Sequence, residues 1–267
     1  PPYFLKKAAK FTAFPPAPTQ EDSVDASGLR WCQAGAGKTA VLCFHGLPAH
    51  HPQCGTPLEK CARFTDYPNA GRYALIAMGA LAEAEPRAMA VQKDLTCPGP
   101  AGPIPLRFYD PRAEREPGPC VLFFHGGGHM AGDIAVYDPI CRRLADASGW
   151  LVVSVEYRLA PEYPYPFGLE DCHSAARHIW PVLDAEGHRY QRRLALAGDS
   201  GGGTFAATLS ALAQNDDLLP VEKQVLIYPS LDYTLNHPSI TENGQGYLLE
   251  ADRIAWYFQH YFQHGED

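Results

Sequence analysis

The chain has 267 residues, 46% of them hydrophobic and 19% charged, and a formal net charge of −8. That length and balance provide ample core for one large α/β domain or two small ones. The negative charge excludes nucleic acid as a partner, since a polyanion needs a basic footprint, and no uncharged apolar run reaches the roughly 18 residues of a membrane span.

Read from its start, the chain opens PPYF, without methionine and without a signal-peptide pattern. A fragment or processed form is expected, with the cytoplasm as default compartment. LKKAAK (5–10) reads as a solvated end, and 14–28 as a loop rich in proline and polar residues. KTAVLCFHGLP (38–48) is a β-type run ending in His-Gly. GAGKT (35–39) fails the phosphate-loop pattern, because Cys32 stands where its first glycine belongs. YALIAMGALA (73–82) reads as a buried helix. Eight cysteines, at 32, 43, 54, 61, 97, 120, 141 and 172, form no CxxC pair and no zinc spacing. Reduced, buried thiols are the expected state.

From residue 90 the pattern becomes regular. Residues 91–111 predict two strands around a Pro/Gly turn, and CVLFFH (120–125) a strand buried on both faces. Residues 137–149 predict a helix with Ile140, Leu144 and Ala147 at helical spacing and Gly149 ending it. WLVVSVEYR (150–158) is the next buried strand. Residues 169–183 predict a helix that Pro181 should end or kink. Strand, helix and strand follow at 193–198, 201–215 and 223–230, then a helix over 250–262 with Ile254, Tyr257, Phe258 and Tyr261 along one side. Buried strands alternating with helices mean a mostly parallel sheet with crossover helices.

Two glycine clusters interrupt this pattern, HGGGHMAG (125–132) and GDSGGG (198–203). Gly198-Asp199-Ser200-Gly201-Gly202 is G-x-S-x-G between a strand and a helix, the setting of a nucleophile elbow. Bulky side chains two before or two after the serine would collide with neighbouring backbone there. The first cluster follows a strand end and suits converging amide donors for a tetrahedral oxyanion. Ser200 is therefore the expected nucleophile, with the amides of Gly127, Gly128 and Gly201 as the oxyanion hole.

In order and spacing, HGGG (125–128), YRLAPEYPYP (157–166) and GDSGGG (198–203) resemble the hormone-sensitive-lipase-like (bacterial family IV) esterases of the α/β-hydrolase fold. The resemblance spans roughly 91–265. Two departures stand out: Gly201 where many relatives carry alanine, and His129 where an aromatic or aliphatic residue is usual. The resemblance implies an α/β fold whose mostly parallel sheet lacks its last strands. It divides the chain into an N-terminal segment, 1–89 (lid, cap or foreign segment), and a partial hydrolase core, 90–267.

The implied activity is hydrolysis of short to medium acyl esters through an acyl-enzyme, without cofactor or metal, on a small apolar ester. A homodimer is compatible with it. The alternative is a catalytically inactive, receptor-like small-molecule binder on the same fold. By resemblance the triad acid and histidine belong beyond residue 267. Asp232, Asp252, His237, His260 and His264 follow the serine but are poor substitutes, and residues 1–267 alone are expected to be inactive and marginally folded. By resemblance, too, His125 orders the oxyanion loop and is no proton acceptor. Asp199 is read as structural, Glu162 and Arg158 as ties beneath the site, and His45-Gly46 as a decoy.

Overall fold

The structure, a computed structural model, describes residues 23–24, 30–34, 39–43, 72, 86–247 and 249–263. The expected helix at 73–82, the His45-Gly46 turn and His264 lie outside them. One mixed sheet organises the rest. Its strands, in chain order, are β1 (Ser23–Val24), β2 (Arg30–Ala34), β3 (Thr39–Cys43), β4 (Val91–Cys97), β5 (Ile104–Asp110), β6 (Gly118–Phe124), β7 (Leu151–Val155), β8 (Tyr190–Asp199) and β9 (Val221–Ile227). Their spatial order is β1-β2-β3-β9-β8-β6-β7-β5-β4. β7, β6, β8 and β9 run parallel, and β3 joins β9 parallel, with Val41 opposite Leu226. β4 and β5 form the antiparallel edge, Val91 opposite Asp110 and Cys97 opposite Ile104. Strands from both sides of residue 90 thus share one sheet, and β3 occupies the place beyond β9.

The helices are α1 (Ile134–Ser148), α2 (Phe167–Ala185), α3 (Ser200–Ala213), α4 (Pro238–Glu242) and α5 (Ala251–Tyr261). Covering helices explain why Leu122, Phe123 and Phe124 in β6 and Val152 and Val153 in β7 are all inaccessible. A parallel sheet sandwiched by helices has no wet face, so its strands are apolar without alternation. No described helix is long and apolar enough to cross a membrane. Cys97, Cys120, Cys141 and Cys172 are buried free thiols, and burial pushes the Cys97 and Cys120 thiols up to about 12.

Two helices depart from the periodicity reading. α1 begins at Ile134, three residues before the expected start, because the Asp133 side chain accepts from Val136 N at 2.7 Å and caps it. Its buried face is Ile134, Tyr137, Cys141 and Ala145, whereas Ile140 is 44% exposed. The end is as expected: Gly149 takes φ 64° and donates to Ala145 O. α2 runs through Pro181 to Ala185. Proline there removes one backbone hydrogen bond, but Ile179, Trp180 and Leu183 are buried around it and hold the last turn against the sheet.

Candidate active site

β8 passes into α3 at Asp199-Ser200, where the buried strand must turn sharply to send a helix back across the sheet. Ser200 absorbs the turn with φ 50°, a left-handed conformation that L residues adopt at a cost of about 1–3 kcal/mol. The flanking glycines make room. A Cβ at Gly198 would overlap the Gly202 carbonyl, and one at Gly202 would overlap the carbonyl oxygens of Phe124 and His125 at the end of β6. The first turn of α3 can therefore lie against the neighbouring strand end only with no side chain at 202. Its dipole, with free N–H groups at the N-terminus, favours negative charge beside Ser200.

The loop after β6 is a different construction. Gly127 has φ 116°, and its carbonyl accepts from Met130 N at 3.1 Å and Ala131 N at 3.0 Å, closing a tight turn. His125 is fully buried, stacked on Tyr157 with ring centroids 4.3 Å apart. Its Nδ1 lies 2.8 Å from Gly126 O, and a carbonyl can only accept, so Nδ1 carries the proton. Burial lowers the His125 pKa to about 4, which keeps the imidazole neutral.

Asp199 ties the two corners together. Its carboxylate accepts from Gly126 N at 2.7 Å and from the Tyr137 hydroxyl at 3.0 Å. Burial pushes its pKa up to about 6 in spite of these donors. The corners also touch directly: a Cβ at Gly201 would stand 3.0 Å from His129 Cε1 and 3.2 Å from His129 N. The two family departures, Gly201 and His129, thus face each other. The amide-bearing loop and the serine corner meet at the carboxyl ends of β6 and β8.

His129 is held from its far side. Thr204 donates to Ser230 O, and the Tyr233 hydroxyl donates to Thr204 Oγ1 at 3.1 Å. The Tyr233 oxygen is left to accept from His129 Nε2, 2.8 Å away. This order fixes the Nε2–H tautomer and leaves Nδ1 a buried acceptor without a hydrogen bond to a described residue. Burial lowers the His129 pKa to about 3.

No acid–base pair forms at Ser200 among the described residues. His237 Nε2 pairs with Asp232 Oδ2 at 2.8 Å, both exposed, and Asp232 is further held by the Thr234 amide and hydroxyl. His260 Nδ1 faces Trp256 O, and Asp252 lies in the first turn of α5. Arg158 and Glu162 do brace this end of the molecule, with separate partners. Arg158 forks onto Asp171 at 2.8 Å, while Glu162 takes the guanidinium of Arg72 at 2.6 and 2.9 Å.

Arg72 was not legible in advance. Besides Glu162 it donates from Nε to Met130 O at 2.7 Å and from Nη2 to Ala160 O at 3.0 Å, clamping the loop after β6 to the 158–162 turn. A lone arginine in a stretch without readable periodicity offers no sequence signal. A cleft of about 830 Å³ lies elsewhere, along the β4–β5 edge beside Arg107, Glu156 and Pro181. It contains none of the residues singled out for catalysis, and its half-buried carboxylate, Glu156, is already engaged by Ile134 N at 2.8 Å.

A strained serine between a buried parallel strand and a helix, facing a glycine loop on the adjoining strand, defines the α/β-hydrolase class. The comparisons agree. A family model described as the alpha/beta hydrolase fold matches residues 121–267, more than half of the chain, and the chain belongs to that family in its hormone-sensitive-lipase-like branch. It is 41% identical over 174 residues to Esterase LipI of Mycobacterium tuberculosis, covering 61% of this chain and 53% of the relative. It is 38% identical over 161 residues to the ethyl acetate hydrolase of Pseudomonas putida, covering 59% and 50%. The solved EstE1, a thermostable carboxylesterase cloned from a metagenomic library, superposes with TM-score 0.70 at 35% identity, covering 76% of this chain and 70% of that one. The matched region spans about half the length of these curated relatives.

Proposed function

We propose that the protein is a serine carboxylesterase of short to medium acyl esters. Ser200 Oγ attacks the ester carbonyl, and the amides of Gly127, Gly128 and Gly201 donate hydrogen bonds to the developing oxyanion. The alcohol leaves, and water then releases the acid from the acyl-enzyme. The reading assigns base and acid to residues outside those described. The observation that carries it is the contact of the two corners, in which the residue after Ser200 packs on the loop that bears the amides. The names of the relatives support it, ethyl acetate hydrolase pointing to short chains.

Active-site titration tests the proposal. The natural full-length protein should hydrolyse p-nitrophenyl acetate and butyrate and be labelled stoichiometrically at Ser200 by a fluorophosphonate. Ser200→Ala should abolish both. Saturable ester binding with neither turnover nor labelling would replace the hydrolase by a small-molecule binder.

A further inference from the structure

α5 lies across the glycine loop and touches it with two side chains one helical turn apart. A Cβ built on Gly128 would stand 2.7 Å from Cδ1 and 3.0 Å from Cε1 and Cγ of the Tyr257 ring, so that ring rests on residue 128 in van der Waals contact. Tyr261 stacks on His129, with centroids 3.9 Å apart and 13° between the planes. Positions 257 and 261 are i and i+4, which share a helix face. One face of α5 is therefore seated on two consecutive residues of the loop.

The two tyrosines differ in what else they do. Tyr261 is 4% exposed and packs among Tyr165, Tyr233 and Phe262, and its backbone carbonyl accepts from Tyr165 N at 2.8 Å. It anchors the helix. Tyr257 is half-buried, against Trp256 and the Gly128 backbone. Its ring presents a flat apolar surface to Gly128.

We propose that Tyr257 is a specificity-determining residue: its ring is the wall that limits the ester substituent lying beside the oxyanion hole. The inference rests on the serine-esterase reading. An ester oxygen bound by the amides of 127, 128 and 201 sits about 3 Å from them. The substituents on the carbonyl carbon start at that point, and a ring in contact with residue 128 borders the space into which one of them extends. The ligand chemistry is an unbranched apolar chain, on either the acyl or the alcohol side of the ester. In an apolar pocket each methylene accepted or refused changes kcat/KM by roughly 10–200-fold, so one ring can set a chain-length limit.

The test compares wild type, Tyr257→Ala, Tyr257→Trp and Tyr257→Phe in the natural full-length protein. Substrates are p-nitrophenyl esters from acetate to dodecanoate and acetate esters from ethanol to octanol. The Ala variant should move the kcat/KM optimum to longer chains, changing the long-to-short ratio by about tenfold or more. The Trp variant should move it the other way, and Phe should leave it in place. A shift confined to one series identifies the acyl or the alcohol side. Equal scaling of every ester in both the Ala and Trp variants overturns the inference while leaving the esterase reading intact. A wild type that hydrolyses neither series and is not labelled at Ser200 overturns the esterase reading, and this inference with it.

Discussion

At the β8–α3 corner Gly198 and Gly202 take no positive φ; a Cβ on either would overlap neighbouring backbone, and the residue forced into the left-handed region is Ser200 itself. In the loop after β6 the arrangement is reversed, because Gly127 itself carries the positive φ. One corner needs glycine for closeness alone, and the other for handedness as well, since a Cβ at Gly127 would also meet the Ala131 carbonyl. A single residue type therefore marks two physical demands, and substitutions should separate them.

The largest effect is expected at the serine corner. Gly202→Ala places a methyl into the carbonyl oxygens of Phe124 and His125, both backbone, at the end of β6 and just beyond it. With no flexible neighbour to yield, overpacking should cost about 3 kcal/mol or more, read as a lower midpoint in denaturant. Gly127→Ala meets the second demand, an unfavourable φ and the Ala131 carbonyl. Strain of this kind costs about 1–3 kcal/mol. Under the proposed mechanism, displacing an oxyanion donor should also lower kcat by roughly 10²–10³. If Gly127→Ala loses stability but keeps kcat, the loop is only a structural turn.

Acid sharpens the comparison, because the corners respond with opposite sign. His125 and His129 on the loop have pKa values lowered from 6.5 to about 4 and about 3. Below about pH 6.5 the unfolded chain takes up protons that the native imidazoles refuse, so their contribution is full above pH 6.5 and lost as pH falls. Asp199 at the serine corner is raised from 3.8 to about 6. Between those values the native state holds a proton that the unfolded state has released, so its contribution declines as pH rises through that window. Between pH 4 and 6, Asp199→Asn should steepen the acid-side loss of stability by about 1.4 kcal/mol per pH unit, and His129→Phe should flatten it by the same amount. Chemical denaturation across that range would show equal slopes in all three proteins if the assignment is wrong.

The smallest effect lies where the corners touch. Gly201→Ala meets the His129 ring at 3.0–3.2 Å and the His129 backbone N at 3.2 Å, tight but not overlapping, so a loss of about 1 kcal/mol is expected. Coupling should reveal the contact: in the His129→Ala background the cost of Gly201→Ala should shrink by about 0.5 kcal/mol or more. Additive losses would mean that the facing pair has no energetic content.

Much of the core was legible because its physics is local. The buried strands β6, β7 and β8 announce themselves as uninterrupted apolar runs, and Gly149 stops α1 as expected. Periodicity misjudged the buried face of α1 because a rotation of one residue, about 100°, keeps a similar repeat. The choice was made by Asp133, which caps the helix early, and by Tyr137, which reaches inward to Asp199. Pro181 looked terminal by propensity and was overridden by burial on either side of it.

The two glycine corners could be read from the chain alone, since each is a short run with a fixed spacing, although the backbone that Gly202 must clear, Phe124 and His125, lies at the end of the neighbouring strand. What those corners touch could not. Arg72 on the loop after β6, the line from His129 through Tyr233 to Thr204, and Tyr257 on Gly128 join residues 58, 104, 29 and 129 positions apart. Contacts at such separations leave no periodic trace, because they depend on how strands are ordered in the sheet and where a later helix comes to rest, and only the folded arrangement selects the partners.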